Sequence, residues 1–187
     1  SDAVLLKALL AHGAEHFDSV TGAISEQLKN KQNSRTFKSD LNQYLGFGVV
    51  NERRIHACQN NQATLIYTGQ IADGKAHEYR LPLPASLSAE TVNRRLIVTV
   101  AWFSPVHHGH QDYRGAQLWA TPAYKEINAE NGDYYHHHLK NGTVFHEVKT
   151  GNKAADFTRG DELAIKIHCN GRAGFDGIVV PYALVVT

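Results

Sequence analysis

The sequence predicts a mainly β protein: a two-sheet antiparallel sandwich of jelly-roll type, preceded by a short helical segment. Three observations carry that expectation. Residues 95–103 (RLIVTVAWF) are continuously apolar and β-branched, the pattern of a strand buried on both faces. Residues 162–169 (ELAIKIHC) alternate, with Leu163, Ile165, Ile167 and Cys169 on one side and Ala164, Lys166 and His168 on the other. Strong helix formers without proline are confined to the first third of the chain.

The chain changes character near residue 60, which divides it into a helical part, 1–60, and a β-sandwich, 61–187. Residues 3–16 (AVLLKALLAHGAEH) predict a helix with Asp2 as its N-cap. Apolar side chains occupy nearly every side of it, whereas a surface helix carries one stripe about 100° wide. Such a helix asks for burial on most sides, more than a single β domain supplies. Residues 18–43 are polar and carry Lys29, Lys31, Arg35 and Lys38. They read as a solvated loop with one short helix at 23–30. Gly46-Phe47-Gly48 is a glycine-dependent turn leading into a short helix at 51–58.

Seven strands follow. Residues 63–71 (ATLIYTGQI) end at Asp73-Gly74, a hairpin-type turn, and 77–83 (HEYRLPL) come next, with Pro82 and Pro84 closing the strand. After 95–103, residues 113–119 (YRGAQLW) form a weaker strand. Residues 143–150, 162–169 and 178–187 complete the set, the last one bent or bulged at Pro181.

Composition bounds the function. With 42% apolar and 20% charged residues, the 187-residue chain is globular rather than disordered. A formal net charge of +1 gives no electrostatic reason to expect nucleic acid or an anionic membrane as partner. No apolar run reaches the roughly 18 residues a membrane span needs. Two cysteines, Cys58 and Cys169, make no disulfide framework, which leans towards a cytoplasmic location, although a single Cys58–Cys169 bridge is compatible with the same sequence. A signal peptide upstream of residue 1 is compatible with the same sequence.

Twelve histidines make metal binding the first chemical question. The candidate ligands are His107, His110 and Asp112 in one loop and His136 and His138 in another. Adjacent histidines on polar loops are more often unligated, no His-Glu-x-x-His or Cys-x-x-Cys spacing is present, and no cofactor is expected. His146 and His168 stand alone in the sequence. Ser104, His107 and Asp112 supply the residue types of a hydrolytic triad, but triad members come from separate elements, so 104–112 reads as a loop after a core strand. Trp102, Phe103, Trp119, Tyr113 and Tyr124 offer material for a sugar-binding platform, although aromatics in apolar strands are more often core. Arg94, Arg95 and Arg114 are expected to pair with carboxylates on the sheet surface.

Three segments resemble the subtilisin-like (S8) serine peptidases. AVLLKALLAHGAEH is similar to a late helix of that catalytic domain. LGFGVVNERRIHAC, with Gly46, Gly48, Val49, Val50, Asn51 and Ala57, is similar to its closing turn and final helix. HEYRLPLP, RRLIVTVAWFSP and YRGAQLW resemble the β-sandwich that follows the catalytic domain in some members. The resemblance implies a C-terminal, non-catalytic region that braces the catalytic part or binds substrate or a partner. Its implied partners are the N-terminal catalytic part of the same protease and a peptide or protein substrate. The Asp, His and Ser motifs of the family are not in this sequence, so no catalytic residue carries over and residues 1–187 are expected to be inactive alone. The rival reading is a free-standing jelly-roll module for carbohydrate or peptide.

Overall fold

The structure is a computed structural model that describes residues 2–17, 22, 45–56, 62–82, 95–111, 113–122, 142–150, 162–172 and 174–187. In chain order the elements are α1 (Asp2–Gly13), β1 (Ala14–Glu15), β2 (Val49–Val50), α2 (Arg53–His56), β3 (Leu65–Ala72), β4 (Ala76–Pro82), β5 (Arg95–Trp102), β6 (Ala116–Pro122), β7 (Val144–Thr150), β8 (Glu162–Gly171) and β9 (Val179–Val186).

The seven strands β3 to β9 form two antiparallel sheets, one in the order β3-β9-β5-β7 and the other in the order β4-β8-β6. Successive strands change sheet at every step. That alternation is the winding of a jelly roll, and the sandwich expected from the sequence is what the chain forms. Side chains of both sheets meet between them: Leu96, Val98, Val100 and Trp102 from β5, Val180, Tyr182 and Leu184 from β9, and Leu163, Ile165, Ile167 and Cys169 from β8. Each large aliphatic side chain buried there is worth about 1.5–3 kcal/mol.

The two sequence patterns that predicted the fold have separate structural causes. β8 has one face in the core and one towards solvent, so its burial alternates strictly from Leu163 to Cys169. β5 is buried along its whole length after Arg95. Its inner face meets the second sheet, and its outer face is covered by α1. Val4 and Ala8 of the helix pack on Ala101, Ala183 and Val185, with Leu5, Leu9 and Val144 at the margin. Small side chains on both sides, Ala8 against Ala101 and Ala183, let the helix lie close to the strands.

Several details differ from the sequence reading. Asp73-Gly74 does not close a hairpin, because β3 and β4 lie in different sheets. It is a corner: Gly74 has φ +68°, its N–H donates to the Cys169 carbonyl, and the Asp73 N–H donates to the Ile178 carbonyl. The Asp73 carboxylate accepts from the Gly171 N–H at 2.6 Å and the Gly177 N–H at 3.4 Å, tying the corner to both neighbouring loops. Residues 113–115 do not belong to the strand that follows them. Gly115 donates to the Pro105 carbonyl and Arg114 bridges to Val106, so pairing with β8 begins only at Ala116↔Gly171. Pro181 causes no bulge. The register of β9 on β3 is continuous through Gln70↔Pro181, while pairing with β5 ends at Trp102↔Tyr182, so the proline has a strand neighbour on one side only. The two-residue pair β1–β2 was not expected from sequence. The helix expected at 23–30 and the end of that expected at 51–58 lie outside the described residues.

The glycine turn at 46–48 is as expected: Gly46 and Gly48 have φ of +59° and +97°. A Cβ on Gly48 would overlap the Glu15 carbonyl, so β1 and β2 approach closely only because residue 48 is glycine.

Candidate functional site

The N-terminal helix divides into two faces. Val4, Ala8, Ala11 and His12 face the sheet and are buried, while Leu6 and Leu10 on the other side are 59% and 46% exposed. Lys7 fastens the N-terminal half of the helix, its ammonium donating to the Trp102 carbonyl at 3.2 Å and to the Thr143 hydroxyl while lying over the Phe103 ring. The segments attached to α1 add further exposed apolar side chains: Phe17, Phe47, Val49 and Val50. They are held by polar bonds. Asn51 donates its main-chain N–H to the Gly13 carbonyl and its amide to Glu15, and Glu15 pairs with Arg54.

At the other end of the helix sits a relay of five side chains. His12 is fully buried, with Nδ1 2.8 Å from the Thr99 hydroxyl and Nε2 2.8 Å from the Thr187 hydroxyl. Thr99, itself fully buried, also lies 2.8 Å from Nδ1 of His146, and Thr187 lies 2.9 Å from the Thr64 hydroxyl. Phe47 packs edge-on against His146. Burial is the main cause that pulls the His12 ring down to about 3, with His146, Arg95 and Arg54 adding positive neighbours. Burial likewise takes His146 down to about 4, helped by Arg95, Arg54 and His16. Both rings are neutral at neutral pH, and His12 has no face open to a substrate. The relay holds elements together rather than presenting a base.

His107 and His110, two of the five candidate metal ligands, are exposed and have ring centroids 6.0 Å apart. The His107 ring accepts from the Gly109 N–H at 3.3 Å and lies edge-on to Phe175. Asp112, His136 and His138 lie outside the described residues. Among the described residues no group of three or more His, Cys, Asp or Glu side chains is placed to hold a metal ion. Ser104 is committed to the main chain: its hydroxyl donates to the Pro105 carbonyl and accepts from the Ala116 N–H. It braces the loop that follows β5.

The aromatic residues do not form one platform. Trp102 is in the core, its indole donating to the Ala116 carbonyl at 3.3 Å. Phe103 and Tyr113 are exposed elsewhere, and Tyr124 lies outside the described residues. Trp119 is on the outer face of the three-stranded sheet, stacked on His168 at 5.2 Å and 12° between ring planes. The Thr121 hydroxyl lies 2.8 Å from Nε2 of His168. Gln117 shares that face of β6, is 4% exposed, and its carboxamide oxygen has no hydrogen-bond partner among the described residues. Arg114 donates to the Gly142 carbonyl, and Cys169 is a free, buried thiol.

Sequence reasoning missed His12 and treated His146 and His168 as isolated. Their partners lie 47 to 175 positions away in the chain, so no local spacing marks them. The one available signal was a histidine, His12, on an otherwise apolar helix.

The fold and these groups define a jelly-roll sandwich with a helix docked on its larger sheet. Among the described residues no helix is long and apolar enough to cross a membrane. The chain matches no protein-family model, and no curated protein matches it. The likeness to subtilisin-like peptidases rests on the quoted residues themselves.

Proposed function

We propose that the chain is the C-terminal, non-catalytic part of a subtilisin-like serine endopeptidase, and that it braces the catalytic part. One observation carries the reading. Among the described residues α1 turns its Val4–Ala8–Ala11 side to the sandwich, with Leu5 and Leu9 at the margin, and leaves Leu6 and Leu10 exposed. That half-covered helix is the segment that resembles the catalytic domain, and the exposed Val49 and Val50 belong to the second such segment. Apolar side chains left exposed in this concentration mark a docking surface. In the intact enzyme the serine nucleophile and its histidine base come from the catalytic part, and this chain positions that part without touching the substrate carbonyl. A cytoplasmic location goes with the reading, and the free Cys169 thiol is consistent with a reducing compartment.

The test uses the product of the complete gene. It is expected to label with a fluorophosphonate and cleave casein, while residues 1–187 alone do neither. Replacing Leu6 and Leu10 together by Asp is expected to leave the 1–187 sandwich folded but to lower the thermal stability of the intact protease activity. A complete gene product that neither labels nor cleaves would overturn the proposal.

A second reading, a free-standing module for carbohydrate or peptide, is favoured by one feature. Trp119, Thr121 and His168 place an indole, a hydroxyl and an imidazole on one sheet face, groups that bind sugars by stacking and hydrogen bonds. Glycan titrations that shift the Trp119 and His168 NMR signals support this module, and an unresponsive face rejects it.

A further inference from the structure

The contact between α1 and the four-stranded sheet is mostly small and apolar, with one polar chain running through it. His12 reaches Thr99 and Thr187 with its two ring nitrogens, and Thr99 reaches on to His146. A threonine hydroxyl has one proton to donate. Thr99 can therefore accept from one imidazole Nδ1–H and donate to the other Nδ1; with both Nδ1 atoms protonated its oxygen accepts twice, and its own buried proton is left without an acceptor among the described residues. The relay is fully bonded with one of the two Nδ1 atoms protonated, and a second Nδ1 proton leaves a buried hydroxyl donor unsatisfied.

The charged groups around the pair make a second proton still less welcome. From β5 comes Arg95, from α2 comes Arg54, and from the turn after β1 comes His16. Glu15 is the acidic group in this region, and it is already paired with Arg54 and bonded by Asn51. On the outer face of the sheet, therefore, a fully buried imidazole and its partner are surrounded mainly by cations.

We propose that His12 and His146, joined through Thr99, form an acid-sensitive latch that releases α1 from the four-stranded sheet as the pH falls from 7 to 5. Release uncovers Ala101, Ala183 and Val185 and frees both imidazoles to take up protons in water. The sandwich stays closed, because its core between the two sheets contains neither ring. This inference stands on the relay alone and does not depend on the protease reading. If the helix does contact a catalytic part, the latch makes that contact acid-sensitive.

The geometry makes the size of the effect accessible. An imidazole that is free in the open state takes up protons below about pH 6.5, and a ring held neutral in the closed state does not. At pH 5 this favours opening by about thirtyfold per ring, and up to about a thousandfold for the pair.

The experiment is amide hydrogen exchange on the 187-residue chain at pH 7 and pH 5, corrected for the intrinsic pH dependence of exchange. The readout compares residues 2–13 with residues 162–171. The expected result is a loss of protection in α1 of more than tenfold while β8 keeps its protection. His12→Gln, which keeps hydrogen-bonding capacity but does not titrate, is expected to reduce that loss. His12→Gln with His146→Gln is expected to abolish it. If the variants do not fold, the wild-type imidazole resonances decide: both rings are expected to stay neutral while α1 is protected and to titrate together with its release. A loss in α1 below tenfold, an equal loss in α1 and β8, or rings that charge while α1 stays protected would overturn the latch.

Discussion

Individual side chains in this protein earn their positions by contacts that sequence neighbours do not reveal. Trp102 fills the core and sends its indole N–H to the Ala116 carbonyl on the opposite sheet, so it joins the two sheets by both volume and a hydrogen bond. Trp102→Ala is expected to cost about 3–5 kcal/mol, read as a lower urea midpoint. Gly48 is constrained by backbone rather than volume. With φ at +97° and the Glu15 carbonyl where a Cβ would go, Gly48→Ala strains the turn by about 1–3 kcal/mol. Hydrogen exchange is expected to show the β1–β2 pair opening while β8 is unaffected. The pairing of His12 with Thr99 and His146 was not legible at this scale, because it spans three elements distant in sequence. The exposed His107 and His110 loop was legible as a cluster, and among the described residues no third ligand joins the two rings.

At the scale of elements, strand patterns were the most legible feature, because alternation and continuous burial are local consequences of what covers each face. β8 alternates since one side meets the core, and β5 is apolar throughout since a sheet covers one side and α1 the other. The pairing partners were less legible. Asp73-Gly74 has the composition of a hairpin turn, yet the strands on either side belong to different sheets. Turn chemistry specifies a change of direction and leaves open whether the chain pairs with itself or crosses to the facing sheet. The helix illustrates the same limit. Its apolar residues on all sides predicted extensive burial, and the sandwich covers one side. The close approach on that side depends on Ala8, Ala101 and Ala183. Ala8→Leu is expected to overpack the contact and cost about 1–3 kcal/mol. Hydrogen exchange should then show a helix that has lost protection on an otherwise intact sandwich.

For the whole molecule, the two buried histidines set the acid limb of stability. Their folded values, about 3 for His12 and about 4 for His146, lie below the ordinary 6.5. Well above pH 6.5 neither state binds a proton and the full contribution of both rings to stability is present. As the pH falls below 6.5 the unfolded chain takes up protons that the folded chain refuses, so stability declines until the folded rings charge at about 4 and 3. At pH 5 the loss is about 2 kcal/mol per ring. Asp73 and Glu78 are held below their usual carboxylate values, so their contributions disappear only in more acid solution. Urea midpoints between pH 7 and 5 are therefore expected to fall in the wild type and to fall less in His12→Gln/His146→Gln, where His168, also held below its ordinary value by burial and Lys166, still contributes. The decline flattens where releasing α1 becomes easier than keeping both rings neutral.

The sequence by itself determined that this is a sandwich: strand number, the buried strand at 95–103, the alternating strand at 162–169 and the glycine turn at 46–48 all follow from side-chain periodicity and backbone freedom, which are local properties. Tertiary structure alone decided which strands share a sheet, which side of α1 is covered, and that His12, Thr99 and His146 meet. Those outcomes depend on contacts between residues far apart in the chain, where burial and hydrogen-bond satisfaction are settled by the facing surface and not by neighbouring residues.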